Sequence, residues 1–347
     1  MSGTDELLAD LLAGEHRALA RAISVIEDRR PGYRDLVASL HEHTGGADVV
    51  GVTGSPGAGK STLVDKMADT YRERGDTVGI IAVDPSSPFT GGAVLGDRIR
   101  MGSNLGDMDV FVRSMSARGQ LGGLSTATTD AVKALDAFGK DKVIVETVGA
   151  GQNEVDVVRT ADTVAVLVQP GSGDDIQMLK AGILEIADVF AVNKADMEGA
   201  DRTVRELREM IQHMTGDSIS AGRHHGPGAE DAEIEAASDR AWEPAIVETV
   251  AKTGDGVDDL LAALSDHRAF LRETGRLGSM ERTRYAEEIR SLLREDVADL
   301  LETEIERRGG IGELADRVAA RETDPYTVAD EILEPLAECV EERREDD

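Results

Sequence analysis

The sequence predicts an α/β fold: a mainly parallel sheet flanked by helices, with helical extensions at both ends. Apolar runs such as Lys142 to Thr147 and Thr163 to Gln169 are short, rich in valine and unbroken by polar alternation, as strands buried on both faces are. Stretches with apolar residues at helical spacing lie between them. The octapeptide Gly54-Ser55-Pro56-Gly57-Ala58-Gly59-Lys60-Ser61 joins the first apolar run to a helix-like run. It fits G-x-x-x-x-G-K-[ST] at every defined position, which places the domain among the P-loop NTPase folds.

The elements follow in order. Residues 4 to 28 carry Leu7, Leu8, Leu11, Leu12, Leu19, Ala20, Ile23 and Ile26 at helical spacing, interrupted at Gly14, and read as two short amphipathic helices. Pro31-Gly32 breaks the chain, and Tyr33 to His43 is a third helix leading through Gly45-Gly46 to the first strand, Ala47 to Thr53. Ser61 to Arg74 is helical. Thr77 to Asp84 is a strand that Pro85-Ser86-Ser87-Pro88 stops. Phe89 to Gly106 is a glycine-rich loop carrying Asp97, Arg98 and Arg100. Asp109 to Arg113 is a strand, Leu121 to Phe138 a helix, and Lys142 to Thr147 a strand. Thr163 to Gln169, Asp188 to Val192 and Ala245 to Ala251 are further strands, and Val257 to Arg272 closes the domain as a helix. Thr215 to Arg240, polar and glycine-rich, reads as an exposed insertion whose His213, His224 and His225 surroundings lack metal-ligand spacing. Residues 280 to 343 are helical in pattern, with one apolar stripe through Leu292, Leu293, Val297, Leu300, Leu301 and Ile305. This gives an N-terminal helical extension over 1–45, the nucleotide domain over 46–274 and a C-terminal helical segment over 275–347.

Composition bounds the partners. The formal charge of -30 rests on 68 acidic against 38 basic residues, of which eight are lysine. Such a surface repels nucleic acid and anionic membranes, and its self-repulsion is screened in concentrated salt, which points to a salt-loving source. The single cysteine, Cys339, excludes an internal disulfide and fits a reducing cytoplasm. No stretch resembles a signal peptide and no apolar run is long enough to span a bilayer.

The motifs point to nucleotide chemistry. Glycines 54, 57 and 59 let the loop curl with its N–H groups inward, and the helix N-terminus adds partial positive charge beneath an anion. Lys60 is placed to reach the β- and γ-phosphates, and Ser61 to offer its hydroxyl to Mg²⁺. Ser55, Pro56, Ala58 and Thr62 complete the phosphate-facing stretch. Glu146-Thr147-Val148-Gly149 supplies an acid-x-x-Gly segment at a strand end, so that Glu146 faces the metal and Gly149 can bring its N–H to the γ-phosphate. Asn193-Lys194-Ala195-Asp196 is the N-K-x-D guanine signature: a carboxylate at Asp196 accepts from N1–H and the 2-amino group of guanine, which adenine cannot match. Ala251 and Lys252 resemble the loop that backs the base in GTPases. A glutamine does not directly follow Gly149, and Gln152 is a candidate for orienting water.

VTGSPGAGKSTL, AVDPSSPFTGGAVLGDRIRM, VIVETVGAGQNEVDV, QPGSGDDIQMLKAGI and VNKAD, in this order, resemble the MeaB/ArgK family of methylmalonyl-CoA mutase-associated GTPases, from about Ala18 to Leu264. The resemblance implies a GTP- and GDP-binding, Mg²⁺-dependent chaperone of a cobalamin-dependent acyl-CoA mutase. It also implies a homodimer joined by the C-terminal helices. By position it puts Lys60 and Ser61 on the family's phosphate and magnesium residues, Asp84, Asp97 and Glu146 on its acidic residues near the metal, and Asn193, Lys194 and Asp196 on its base site. Gly171 to Lys180, with Asp174, Gln177 and Lys180, falls on a loop that touches the mutase in the family; from its residues alone it is a polar turn after a strand. A metallocentre-insertion GTPase and a transport-linked protein kinase or ATPase are the competing readings. The first calls for a Cys/His cluster that one cysteine does not supply, and the second for a catalytic aspartate loop that the chain lacks.

Overall fold

The computed structural model describes residues 3–84, 107–116, 126–147, 160–171, 184–221 and 241–345. Three helices open the chain: α1 (Gly3–Leu12), α2 (His16–Glu27) and α3 (Tyr33–His41). Then come β1 (Asp48–Gly54), α4 (Lys60–Glu73), β2 (Val78–Asp84), β3 (Val110–Ser116), α5 (Thr126–Ala137) and β4 (Lys142–Thr147). They are followed by β5 (Thr163–Val168), a short 3-10 turn (Leu184–Ile186), β6 (Val189–Asn193), α6 (Ala200–Ala221), β7 (Ala245–Thr249) and α7 (Val257–Glu273). The chain ends in α8 (Arg276–Arg307), α9 (Gly310–Ala319) and α10 (Pro325–Glu345).

The seven strands form one sheet in the order β3-β2-β4-β1-β5-β6-β7, and every pairing is parallel. Side chains alternate between two buried faces, which is why the strand sequences read as continuous apolar runs. On β5, Val164, Val166 and Val168 join the core shared with α1, α2, α3, α5 and α6, while Ala165 and Leu167 join the core built by α4 and α7. The N-terminal helices are thus part of a domain core: Leu11, Leu19, Ile23, Leu36 and Leu40 are fully buried. Arg113 of β3 donates to Glu27 of α2 at 2.5 Å, and the Asp136 carboxylate of α5 accepts from the backbone N–H groups of Gly45, Gly46 and Ala47.

Two strand ends differ from the sequence reading. β3 runs on to Ser116, because its register with β2 continues as far as the Asp84–Ser116 pair. β7 stops at Thr249, where a tight turn takes over: Thr253 and Gly254 donate their N–H groups to the Val250 carbonyl. Helix α6 reaches Ala221, past Thr215 where the sequence placed the start of an insertion; residues 222–240 lie outside the described ones.

At the N-terminal edge of the sheet, four elements meet in a buried polar cluster. The Asp188 carboxylate accepts from the Val164 N–H at 2.8 Å and faces His267 Nε2 at 3.2 Å. His267 Nδ1 lies 2.9 Å from the Thr163 hydroxyl, and Trp242 Nε1–H donates to the Asp188 carbonyl at 2.9 Å. Burial pushes Asp188 up to about 7 and His267 down to about 4. Desolvation thus outweighs the attraction the pair would have as ions, and near pH 5 both groups are neutral, joined by a hydrogen bond. Asp188, raised, contributes stability that is present below 3.8 and lost as pH rises through about 7. His267, lowered, contributes stability that is present above 6.5 and lost as pH falls through about 4. Relative to wild type, Asp188→Asn is expected to gain stability as pH rises from 4 to 7, and His267→Gln to gain as pH falls from 6.5 to 4, each by at most about 1.4 kcal/mol per pH unit. Urea unfolding across that range checks both. Differences from wild type that stay flat between about pH 4 and 6.5 in both variants would show an ion pair instead.

The contacts divide the chain into two units, 1–284 and 285–347. In the second, Leu314, Val328 and Ile332 form a small core on which Leu301, Ile305 and Val318 pack. Of the other apolar residues of α8, Leu292 is half-buried, whereas Ile289 is 57%, Leu293 59%, Val297 48% and Leu300 57% exposed.

Candidate functional site

The strand order sets the place of the site. β1 lies at the middle of the sheet with β4 on one side and β5 on the other, and in such sheets the crevice where the order reverses, outside the carboxyl ends of the strands, receives the ligand. The carboxyl ends of β1, β4 and β6 carry the residues from Gly54, Glu146 and Asn193 onward.

The loop after β1 has no room for side chains at two of its glycines. Gly54 has φ 135, and a Cβ there would meet the Leu167 carbonyl of β5 at 2.2 Å. Gly59, which caps α4 with φ 94, would place a Cβ 2.5 Å from the Asn193 amide nitrogen. The loop therefore lies flush against the neighbouring strand and against the N-K-x-D segment. Lys60 is buried at the start of α4, its ammonium donating to the Gly54 carbonyl at 2.5 Å and to the Ser55 carbonyl at 3.0 Å. Ser55 and Ala58 are buried, whereas Pro56, Gly57 and Thr62 are exposed.

The Ser61 hydroxyl donates to Glu146 Oε1 at 2.6 Å, across from α4 to the end of β4. Glu146 is only 2% exposed, and Thr147 beside it donates its hydroxyl to Thr53 of β1 at 2.8 Å. A hydroxyl and a buried carboxylate thus converge at the foot of the phosphate loop. Both are hard oxygen donors of the kind that suits Mg²⁺. Asp84 ends β2 one residue past the Val83–Thr147 pair that joins β2 to β4. Its side chain lies outside the described ones, as do Asp97, Gly149, Gln152, Asp174, Gln177 and Lys180.

Asn193 ties three loops together. Its amide donates to the Ala58 carbonyl at 2.7 Å, and its carbonyl accepts from the Ala251 N–H at 3.0 Å and the Thr249 hydroxyl at 3.2 Å. Lys194 has a left-handed backbone, φ 61, uncommon for a residue with a long side chain. Its ammonium reaches back over the phosphate loop to the Gly57 carbonyl at 2.8 Å and to Gln169 Oε1 at 2.8 Å. Asp196 is exposed at the rim, on a loop held by Ala195 N–H on the Thr249 carbonyl and Met197 N–H on the Lys194 carbonyl. Ala251 is buried behind Asn193, and Lys252 is exposed.

The structure therefore brings the phosphate loop, Glu146 and the N-K-x-D segment to one edge, joined by direct hydrogen bonds. Two residues at that edge were missed in the sequence. Thr249 reads there as strand, although it lies two residues before Ala251. Gln169 reads as the last residue of an apolar run.

A sequence model of the family described as Methylmalonyl Co-A mutase-associated GTPase MeaB matches residues 19–306. The chain belongs to the MeaB family. It is a P-loop GTPase, as that family is. A Pyrococcus abyssi protein named for an inferred GTPase activity is 46% identical over 332 residues, 96% of this chain and 96% of its own. The GTPase ArgK of Escherichia coli is 34% identical over 300 residues, 85% of each chain. Among solved structures, an LAO/AO transport system kinase aligns over 96% of this chain and 97% of its own, with a TM-score of 0.63 at 24% identity, and shares the fold. Among the described residues, no helix is long and apolar enough to cross a membrane.

Proposed function

We propose that this chain is a GTP-binding, GTP-hydrolysing chaperone of a cobalamin-dependent acyl-CoA mutase, with methylmalonyl-CoA mutase the first client to test. The match to the mutase-associated GTPase family over most of the chain carries the reading. The site agrees with it. The loop that would hold phosphates is bonded through Asn193 to the segment that would hold guanine, so both ends of one nucleotide can be recognised together.

In this reading Lys60 leaves its carbonyl partners to neutralise the β- and γ-phosphates, and the N–H groups from Gly54 to Thr62 cradle them. Ser61 and Glu146, with Asp84 and Asp97, would hold Mg²⁺, which when bound offsets charge on the transferring phosphoryl group. Gln152 would orient water, and Gly149 would read the γ-phosphate. Asp196 would accept from guanine, with Lys194, Ala251 and Lys252 lining the base. A second copy of the chain would cover the exposed stripe of Ile289, Leu293, Val297 and Leu300, which repeats at helical spacing and is apolar enough to seek a partner. The acidic surface fits a salt-rich cytoplasm.

Hydrolysis by the isolated protein should be slow, since the sequence singles out no arginine to stabilise the transferring group, and the client should accelerate it by about tenfold or more. The test is GTP hydrolysis in molar KCl with and without the organism's own cobalamin-dependent mutase, both purified. Stimulation with nucleotide-dependent complex formation is expected. Fast turnover alone, unchanged by mutase, would count against the chaperone role and leave the nucleotide site standing.

A further inference from the structure

The geometry points to Gln169 as a positioning residue for guanine-nucleotide binding, acting by holding the Lys194 ammonium across the phosphate loop. Lys194 is an unusual residue to find fixed. Its backbone is left-handed and its side chain has several rotatable bonds, so an unheld ammonium would sample many positions. Two acceptors hold it: the Gly57 carbonyl at 2.8 Å, from the loop after β1, and Gln169 Oε1 at 2.8 Å, from the end of β5.

The sheet places Gln169 at this height. β5 pairs with β1 in a register that sets Leu167 against Gly54, so Gln169 stands two residues beyond the start of the phosphate loop. Leu167 presses on Gly54 so closely that no side chain fits between them. The amide of Gln169 is therefore rooted in the strand that also supports the loop, and Lys194 joins that strand, the loop and the N-K-x-D segment at one point. A charged hydrogen bond in a half-buried setting is stronger than a neutral one, so losing it should release the ammonium. Pro170, buried, and Gly171 follow directly, so the same residue ties the nucleotide site to the chain that leaves β5.

This inference rests on the reading of Lys194 as part of the nucleotide site, and the experiment separates the two. Affinities for GTP and GDP are measured in molar KCl for wild type, Gln169→Leu, Gln169→Glu, Lys194→Met and Gln169→Leu combined with Lys194→Met, together with the unfolding midpoint of each without nucleotide. Gln169→Leu should weaken both nucleotides by about tenfold, and Gln169→Glu, which keeps an acceptor for Lys194, should return to within about threefold of wild type. In the Lys194→Met background, Gln169→Leu should add nothing, because the bond it removes is already gone. The midpoint without nucleotide should be the same for Gln169→Leu and Gln169→Glu. Full affinity in Gln169→Leu, no recovery in Gln169→Glu, or an equal loss in both backgrounds overturns the positioning role. If Lys194→Met is impaired while Gln169→Leu is not, the nucleotide site stands without the tether. If Lys194→Met binds GTP as wild type does, both ideas fall.

Discussion

Asp196→Asn is expected to turn the chain's preference from guanosine to xanthosine phosphates. A carboxylate at this position can accept from both N1–H and the 2-amino group of guanine. An amide offers one donor and one acceptor, which leaves a guanine donor unpaired and instead suits the 2-oxo group of xanthine. Sites built around hydrogen bonds reject a mismatched partner strongly, so GTP affinity should fall on the order of 10³-fold or more while XTP affinity rises. The substitution should be nearly silent for the fold, because Asp196 is exposed and its loop is held through backbone groups of Ala195 and Met197. Titration of the variant with GTP and XTP, beside an unfolding curve, reads recognition apart from stability. Undiminished GTP binding with no gain for XTP would move the base contact elsewhere.

The central sheet was legible in the sequence for a definite reason. A parallel sheet buried on both faces is built mostly of apolar residues, so the runs at Thr163 to Gln169 and Lys142 to Thr147 show where the strands are without any neighbour being known. The phosphate loop and the N-K-x-D segment were legible because their chemistry is local in sequence. Two things were not. The long-range partners of those motifs depend on strand order: that Asn193 bonds Ala58, and that Gln169 meets Lys194, follows from β5 lying beside β1 and β6 beside β5, and many strand orders are compatible with the same runs. The stripe of α8 is a clear helical pattern, yet pattern alone does not say what it faces. Leu301 and Ile305 turn to a small core, and Leu293, Val297 and Leu300 to solvent.

The same long-range contact makes Gly59 a demanding position in the site, and Gly59→Ala should abolish tight nucleotide binding. Two costs combine. At φ 94 an alanine is strained by about 1 kcal/mol, and its Cβ would stand 2.5 Å from the Asn193 amide nitrogen. That amide cannot step aside. Its nitrogen is held by the Ala58 carbonyl, and its oxygen by Ala251 and Thr249, so the clash must break the tie or push the loop off the start of α4. Gly57→Ala supplies the contrast. Gly57 also has a left-handed backbone, φ 81, but a Cβ there meets nothing within 4 Å, leaving backbone strain alone. Calorimetric titration with GDP should show Gly59→Ala weakened on the order of a hundredfold and Gly57→Ala within about tenfold of wild type. Thermal unfolding should place Gly59→Ala lower by about 2 to 3 kcal/mol. Equal losses in the two variants would mean that backbone strain governs the loop. A Gly59→Ala protein that binds as tightly as wild type would show that the phosphate loop and Asn193 move independently.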